Sequence, residues 1–321
     1  MTPPPPDAAA VPSGKDLLKP YSLLVLSMLM WSGNWIIGRA IHDLVAPSAL
    51  VFWRWLLAAL ILLPIAGRST LRQWPLIRRH WVFLLFLSLT GAALSHWLVY
   101  TGLRHTTAIN ALLINSTLPA CIIALSWLGF RETVTRRQML GLVLSFAGVI
   151  VIVTRGDPTV LSELRINIGD IAIFGAMIPM AVYPIMLKRS PPGLGSLETL
   201  LVIAVMSALL LAPVFVYDMF FGIPTFYTMP VLGGIAYIVV VATVVAFQFF
   251  NRSVVAVGAN RSGFFTHLLP VFGTVMAILF LDESVQAFHG FGIALIVLGV
   301  SLSTLGVRRP GAPQTSITSP S

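Results

Sequence analysis

Charged residues and cysteine are both scarce in this sequence of 321 residues. Asp, Glu, Lys and Arg together make up 10% of it, whereas soluble domains carry roughly 25%. Hydrophobic residues account for 57%, and the mean hydropathy is +0.91. A soluble domain of this length has no way to hide so much apolar surface from water, so lipid is the solvent for most of the chain. The single cysteine, Cys121, excludes a disulfide within the sequence.

The motifs of several enzyme classes are also missing. The sequence has no Gly-x-x-x-x-Gly-Lys-Ser/Thr loop for ATP, no His-Glu-x-x-His zinc pair and no Gly-x-Ser-x-Gly nucleophile elbow. It has no paired-aspartate cluster that would hold Mg²⁺ and a prenyl diphosphate. We therefore predict neither a cofactor nor a metal ion, and an intramembrane enzyme is kept only as a distant alternative.

The apolar residues fall into ten runs of about 20 residues, a length that crosses a hydrocarbon layer about 30 Å thick. These runs predict an all-α integral membrane protein with ten transmembrane helices. The predicted helices cover 20–41, 46–66, 81–103, 107–129, 138–154, 169–188, 197–220, 230–250, 260–281 and 288–307. The flanking segments 1–19 and 308–321 lack apolar runs and are predicted to be disordered cytoplasmic tails.

The net charge of +9 suits nucleic-acid binding, but the basic residues cluster in the loops between apolar runs. With the N-terminus in the cytoplasm, 14 of the 20 Lys and Arg residues lie on the cytoplasmic side, four lie outside, and two lie in or beside helices. This bias predicts a multi-pass protein of the cell (inner) membrane with both termini in the cytoplasm. We therefore predict that the protein contacts the lipid bilayer and does not bind nucleic acid. The sequence assigns no oligomeric state.

The same spaced signature occurs twice in the sequence, at a constant offset of 151 residues. The first copy consists of Pro119, Glu132, Gly141 and Gly148, and the second of Pro270, Glu283, Gly292 and Gly299. The glycine spacing predicts close packing between helices. Each half, 20–155 and 168–307, holds five predicted helices, so the second half crosses the membrane in the opposite sense. The sequence therefore predicts two inverted five-helix repeats with a binding site near the midplane between them.

These residues resemble a known family. Residues 119–148 resemble the EamA repeat of the drug/metabolite transporter superfamily, and residues 269–299 resemble it equally well. Residues 31–35, Trp-Ser-Gly-Asn-Trp, look like the signature of its first helix, and residues 52–56, Phe-Trp-Arg-Trp-Leu, look like that of its second. The resemblance covers about residues 20–307. It implies ten helices, inverted repeats and export of small organic metabolites, and within the superfamily the chain is most similar to aromatic-amino-acid exporters.

Acidic residues are absent from the interiors of the predicted helices, since Asp170, Glu198 and Asp218 lie near helix ends. Ion-driven antiporters generally need buried carboxylates. We therefore expect facilitated export of small amphipathic metabolites by alternating access, with the aromatic amino acids that the resemblance implies as the first substrates to consider. Histidine side chains ordinarily titrate near neutral pH, so His96 and His267 keep proton-coupled efflux of drugs or amines open as the alternative.

Polar and aromatic side chains inside the predicted helices are candidates for the substrate-binding site, because polar groups within a membrane generally face the bundle or a wet cavity. Flat apolar faces combined with hydrogen-bonding groups suit an amphipathic solute. The predicted substrate-binding residues are Trp31, Asn34, His96, Tyr100, Asn110, Asn115, Tyr183, Gln248 and His267. Packing or interhelical hydrogen bonding is the alternative role for each of them.

Four prolines and one arginine also stand out. Pro119 and Pro270 occupy matched positions in the fourth and ninth helices, where a proline removes a backbone hydrogen bond and kinks the helix. Together with Pro179 and Pro184 in the sixth helix they are predicted hinges, with static kinks as the alternative. Arg54 lies inside the second helix with no acidic partner in a neighbouring one. It is predicted to be a structural polar residue satisfied by carbonyls, hydroxyls or water, and binding of a substrate carboxylate is the alternative.

Overall fold

The computed structural model describes residues 14–162, 164–222, 224–280 and 286–304. Within these residues, nine helical stretches are long and apolar enough to cross a membrane, and a tenth crossing is built from three consecutive shorter helices. The crossings are α1 (Gly14–Ala40), α2 (Pro47–Arg72), α3 (Trp81–Leu103), α4 (Ala108–Asn115 and Leu118–Phe130), α5 (Arg136–Val153), α6 (Ile168–Leu187), α7 (Ser196–Phe221), α8 (Met229–Val257), α9 (Ala259–Phe264, Phe265–His267 and Leu268–Phe280) and α10 (Ala287–Thr304). Short helices at Trp74–Arg79 and Thr159–Ser162 lie in connections. The predicted all-α membrane fold is confirmed.

Three helix boundaries differ from the predictions. α1 already begins at Gly14, inside the predicted tail 1–19, because the Lys and Leu residues that follow favour helix. α2 continues to Arg72 and α8 to Val257, since polar residues extend these helices beyond their apolar cores. The rest of the predicted N-terminal tail, the tail 308–321 and Glu283 lie outside the described residues.

α1 begins and α10 ends on the same side of the bundle, where the Tyr21 hydroxyl donates a hydrogen bond to the Thr304 carbonyl at 3.4 Å. We call this side the terminal face and the other side the opposite face. Because the helices alternate in direction, the loop that holds Glu132 lies on the terminal face and the connection between α5 and α6 lies on the opposite face.

α5 and α10 pack against each other through the glycines of the repeat signature. A Cβ added to Gly148 would lie 2.7 Å from the Gly292 carbonyl oxygen, and a Cβ on Gly299 would lie 2.6 Å from the Gly141 carbonyl oxygen. The residue numbers of the contacting pairs rise along one helix and fall along the other, so the helices are antiparallel. Gly292 and Gly299 are also the repeat equivalents of Gly141 and Gly148, and the two contacts are therefore related by an approximate twofold axis, as inverted repeats require.

α3 and α8 each contain a π-helical segment, at Leu89–Ala93 and Ile238–Val245. The 151-residue offset carries residues 89–93 onto 240–244, which lie within the second segment. A π turn widens the helix and releases backbone groups from their usual α-helical partners, and such turns are frequent at functional sites. Neither segment was predicted from the sequence.

α4 and α9 are interrupted at matching positions. α4 breaks between Asn115 and Leu118, and α9 contains a 3₁₀ turn at Phe265–His267. Pro119 lies in the first turn of the second piece of α4, and Pro270 lies near the start of the last piece of α9. These prolines therefore begin new helical pieces, where a missing N–H costs little, rather than kinking continuous helices as expected. Pro179 and Pro184 lie within the continuous helix α6.

We predict that Gly292→Leu destabilises the folded protein by about 3 kcal/mol or more, because overpacking a tight interface displaces the backbone. Its Cβ position lies 3.0 Å from the Gly148 carbonyl oxygen. Gly290 is the matched control, since it lies on the same helix and no atom is found within 4 Å of its Cβ position. Thermal unfolding in detergent, followed by fluorescence-detected gel filtration, compares the two. Equal loss of stability in both variants would refute the proposed seam.

Candidate functional site

A cavity lies at the centre of the bundle, between helices of both repeats. It is lined mainly by apolar and aromatic side chains, with a few polar groups among them, as in many small-molecule sites. Its lining consists of Trp31, Asn34, Trp35, Arg54, Gly91, His96, Val99, Tyr100, Asn115, Leu118, Ile122, Met180, Tyr183, Pro184, Phe247, Phe250, Thr266 and Leu269. Among the described residues, no three His, Cys, Asp or Glu side chains lie close enough together to hold a metal ion.

Arg54 is the charged residue of this lining, and its side chain is only 1% exposed. Its Nε donates to the Thr243 hydroxyl at 2.7 Å. Its Nη1 donates to the Tyr100 hydroxyl at 3.2 Å and approaches Asn34 Oδ1 at 3.5 Å. The Tyr100 hydroxyl in turn donates to Asn34 Oδ1 at 3.0 Å. Residues from α1, α2, α3 and α8 therefore meet at one guanidinium group.

The fold explains why a hydroxyl faces Arg54. Thr243 lies in the π-helical segment of α8, and its hydroxyl donates to the Ile238 carbonyl at 2.8 Å, which leaves the oxygen free to accept from Arg54. The Trp55 and Phe247 rings lie 5.6 Å and 5.8 Å from the guanidinium carbon, within range of cation–π attraction. In the described part of the chain, no carboxylate approaches Arg54 within ion-pair distance and its Nη2 makes no hydrogen bond.

Two aromatic side chains of the cavity wall each lie against a π-helical segment. The Trp31 indole nitrogen donates to the Ala242 carbonyl at 2.9 Å, in the π-helical segment of α8. The Tyr183 ring lies against Gly91, in the π-helical segment of α3. Each π segment thus holds an aromatic residue from the first helix of the other repeat, α1 or α6.

His96 and Asn115 add polar atoms to the same wall. His96 Nδ1 lies 2.8 Å from the Ala92 carbonyl oxygen, and because a carbonyl only accepts, this nitrogen carries a proton. Asn115, 2% exposed, lies at the end of the first piece of α4, and its Oδ1 is buried with no hydrogen-bond partner. An unpaired amide oxygen is costly in an apolar interior.

Six of the nine predicted substrate-binding residues line this cavity: Trp31, Asn34, His96, Tyr100, Asn115 and Tyr183. The other three are placed elsewhere. Asn110 lies towards the opposite face and donates to the Asp170 carboxylate at 2.9 Å. Gln248 contacts the Ser196 hydroxyl at 3.2 Å. His267 is fully buried between Ser116 and Ser145, with ring nitrogens 2.8 Å and 2.7 Å from their oxygen atoms.

Several lining residues were not predicted from the sequence, and three of them show why. Phe247 and Phe250 line the cavity from α8. Gln248 was predicted instead because it is polar, but it lies on another face of this helix. Gly91 lines it from α3 and has no side chain to signal a role. Arg54 was predicted to be a structural polar residue, with binding of a substrate carboxylate as the alternative. Its guanidinium lies in the cavity lining and donates to hydroxyl groups, and both roles stay predictions. The two phenylalanines are three residues apart and so lie on one helix face, and this spacing was the signal that could have revealed the cavity-lining face of α8.

A second and larger cavity lies next to the central one and shares Trp35 and Leu269 with it. Its other lining residues include Arg39 and Arg155, which lie at the opposite-face ends of α1 and α5. The described part of the bundle is therefore wider between its central cavity and the opposite face.

The terminal face is held by a group of contacts that we call the Glu132 clasp. The Glu132 carboxylate lies 3.4 Å from Arg189 Nη2 and 3.8 Å from Lys188 Nζ, and it accepts from Asn260 Nδ2 at 3.1 Å. The Arg189 guanidinium also lies over the Phe130 ring, 3.4 Å from its centroid. The clasp joins the first repeat to the residues that follow α6 and to the first turn of α9, and so it ties the terminal ends of α4, α6 and α9 together.

We predict that Glu132→Gln loosens the terminal face. Each partly exposed ion pair contributes roughly 0.2–1 kcal/mol, so we expect about a twofold to tenfold rise in the population with separated helix ends. Spin labels at Arg137→Cys and Ala256→Cys in a Cys121→Ser background report that distance by pulsed electron resonance. Arg131→Gln, which changes a charge in the same loop without touching the clasp, should leave the distance distribution unchanged. An unaltered distribution in Glu132→Gln would show that the clasp does not hold the face.

Known proteins share this architecture. An uncharacterized transporter of Bacillus subtilis, YyaM, is 26% identical over 268 residues, which cover 83% of this chain and 87% of the relative. An uncharacterized transporter of Archaeoglobus fulgidus is 27% identical over 296 residues, with coverage of 89% and 97%. An S-adenosylmethionine/S-adenosylhomocysteine transporter of Chlamydia trachomatis is 22% identical over 288 residues, with coverage of 87% for both chains.

A solved crystal structure of a protein 17% identical to this chain superposes with a TM-score of 0.68 and covers 89% of this chain and 96% of its own, so the fold is shared. The sequence profile of the EamA-like transporter family matches residues 18–154 and 167–305, one match for each repeat. These matches span most of the sequence, and the chain therefore belongs to the EamA-like transporter family of membrane transporters.

Proposed function

We propose that the protein exports small metabolites that combine a carboxylate with a flat apolar body, and that aromatic amino acids are its substrates. The observation that carries this proposal is Arg54, a buried guanidinium in an aromatic cavity with no carboxylate partner among the described residues. Burying an unpaired charge costs several kcal/mol. A solute carboxylate that reaches the free Nη2 would offset that cost on binding, and Arg suits a planar carboxylate better than Lys does.

The other polar atoms of the cavity suit the rest of an amino acid. Asn115 lies on the same lining, and a rotation of its amide would present the unpaired Oδ1 to a solute ammonium group as a hydrogen-bond acceptor. A guanidinium donor and an amide acceptor together match a zwitterion. The Trp31, Tyr183 and Phe247 rings supply flat faces against which an aromatic side chain can stack.

Transport by alternating access fits the two inverted repeats, because exchange of conformation between equivalent halves moves the opening from one face to the other. The lining of the central cavity contains no Asp or Glu among the described residues, which supports facilitated transport rather than ion coupling. We place both termini in the cytoplasm, so that the terminal face is cytoplasmic and the opposite face is the exit. The location is the cell (inner) membrane.

The relative in Chlamydia trachomatis favours a second candidate, transport of S-adenosylmethionine or S-adenosylhomocysteine. These solutes also carry a carboxylate, an ammonium group and a flat ring system. They belong to the same chemical class as the first candidate, so the two are separated by a direct comparison of labelled solutes.

We expect purified protein in liposomes to show counterflow of labelled phenylalanine, a transient accumulation without chemical modification that also distinguishes a carrier from an enzyme. Arg54→Gln should reduce this transport at least about tenfold, because a hydrogen bond to a charged group contributes roughly 1.5–3 kcal/mol. The same change should not lower thermal stability, since it removes a desolvated charge. Arg72→Gln, at the exposed end of the same helix, is the control.

Two results would contradict the proposal. If Arg54→Gln loses stability in step with transport, Arg54 is a structural brace. If wild-type protein shows counterflow of labelled S-adenosylmethionine but not of phenylalanine, the second candidate replaces the first.

We further predict that an imposed pH difference of either sign does not drive accumulation of labelled phenylalanine. A zwitterion carries no net charge, and His96 is the only histidine among the described residues of the cavity lining. Liposomes preloaded at one pH and diluted into another measure this directly. Accumulation driven by the pH step alone, and abolished in His96→Gln or His267→Gln, would establish a histidine-coupled antiporter.

A further inference from the structure

Gly91 allows the Tyr183 ring to lie directly against the backbone of α3. A Cβ added at Gly91 would overlap three atoms of that ring. Gly91 lies within the π-helical segment Leu89–Ala93, so the helix surface that the ring covers is already irregular. Both residues line the central cavity. The absence of one side chain on α3 therefore determines how far an aromatic side chain on α6 withdraws from the cavity.

The ring has little freedom on its other sides. The Tyr183 hydroxyl donates to Asn251 Oδ1 at 2.9 Å, and the Phe247 ring centroid lies 6.1 Å from the Tyr183 centroid. Tyr183 is only 3% exposed. A group placed at Gly91 would therefore push the ring towards the cavity, because α3, Asn251 and Phe247 occupy the remaining directions.

The equivalent position in the other repeat behaves differently. The 151-residue offset carries Gly91 onto Ala242, which lies in the π-helical segment of α8 and accepts a hydrogen bond from Trp31. There a methyl group is present and the aromatic side chain meets the helix through a hydrogen bond at its edge. The Tyr183 ring instead covers Gly91 with several ring atoms. The two walls are thus unequal, and the position of the Tyr183 ring depends on a glycine.

We infer that Gly91 sets the upper size of the solute: it lets Tyr183 withdraw far enough for the larger aromatic side chains to enter. This inference rests on the proposed function, since it concerns the recognition of the solute's aromatic part. Gly91 is a positioning residue that acts through Tyr183.

The test compares labelled phenylalanine and tryptophan in the liposome assay. We expect Gly91→Ala to lower tryptophan transport at least fivefold more than phenylalanine transport. Adding Tyr183→Leu to Gly91→Ala should restore the ratio of the two rates, because the smaller side chain no longer meets the new methyl group. Gly175→Ala is the control, since Gly175 lies in α6 with no atom within 4 Å of its Cβ position.

The outcomes separate the two proposals. If wild-type protein transports neither amino acid, the proposed function fails and the size limit fails with it. If wild-type protein transports both and Gly91→Ala lowers the two rates equally, only the size limit is overturned. If Gly91→Ala does not fold, Tyr183→Leu alone decides: a tryptophan-to-phenylalanine ratio at least twofold above wild type supports the size limit, and an unchanged ratio refutes it.

Discussion

Inside a bilayer, backbone polar groups have no water with which to form hydrogen bonds, and this constraint determines where the chain departs from α-helix. Irregular backbone at membrane depth is tolerated only where protein or a wet cavity surrounds it. Here every such departure in the described crossings lies in α3, α4, α8 or α9. Side chains from other helices contact the groups that are released: Trp31 bonds the Ala242 carbonyl, and His267 bonds the Ser116 carbonyl. The irregular turns and the buried polar side chains are therefore parts of one arrangement.

The ten crossings and the glycine seam could be predicted because run length and residue spacing record them directly. The π segments and the interruption of α9 could not, since sequences such as Leu-Thr-Gly-Ala-Ala carry no local signal and the turns depend on tertiary contacts. Of the nine polar and aromatic residues predicted to bind substrate, six lie in the cavity lining. Gln248 lies outside this lining, because neighbouring helical residues point about 100° apart and Phe247 faces the cavity instead.

The two repeats are joined by two different kinds of contact. The Glu132 clasp joins the repeats at the terminal face through partly exposed charges that each contribute little. The α5–α10 seam joins them along its length through backbone contacts that leave no space for adjustment. Weak contacts at one rim and a rigid seam along the side suit a protein whose helices must separate at one face without coming apart.

The π-helical segments of α3 and α8 also record the history of the chain. Both lie at the same position of their repeats, 151 residues apart. A π turn accommodates a surplus residue within a helix, and two independent insertions would have no reason to coincide in register. A surplus residue present before duplication accounts for the shared register. In the present chain each repeat supplies the aromatic residue that covers the irregular turn of the other, so neither half encloses its own π segment.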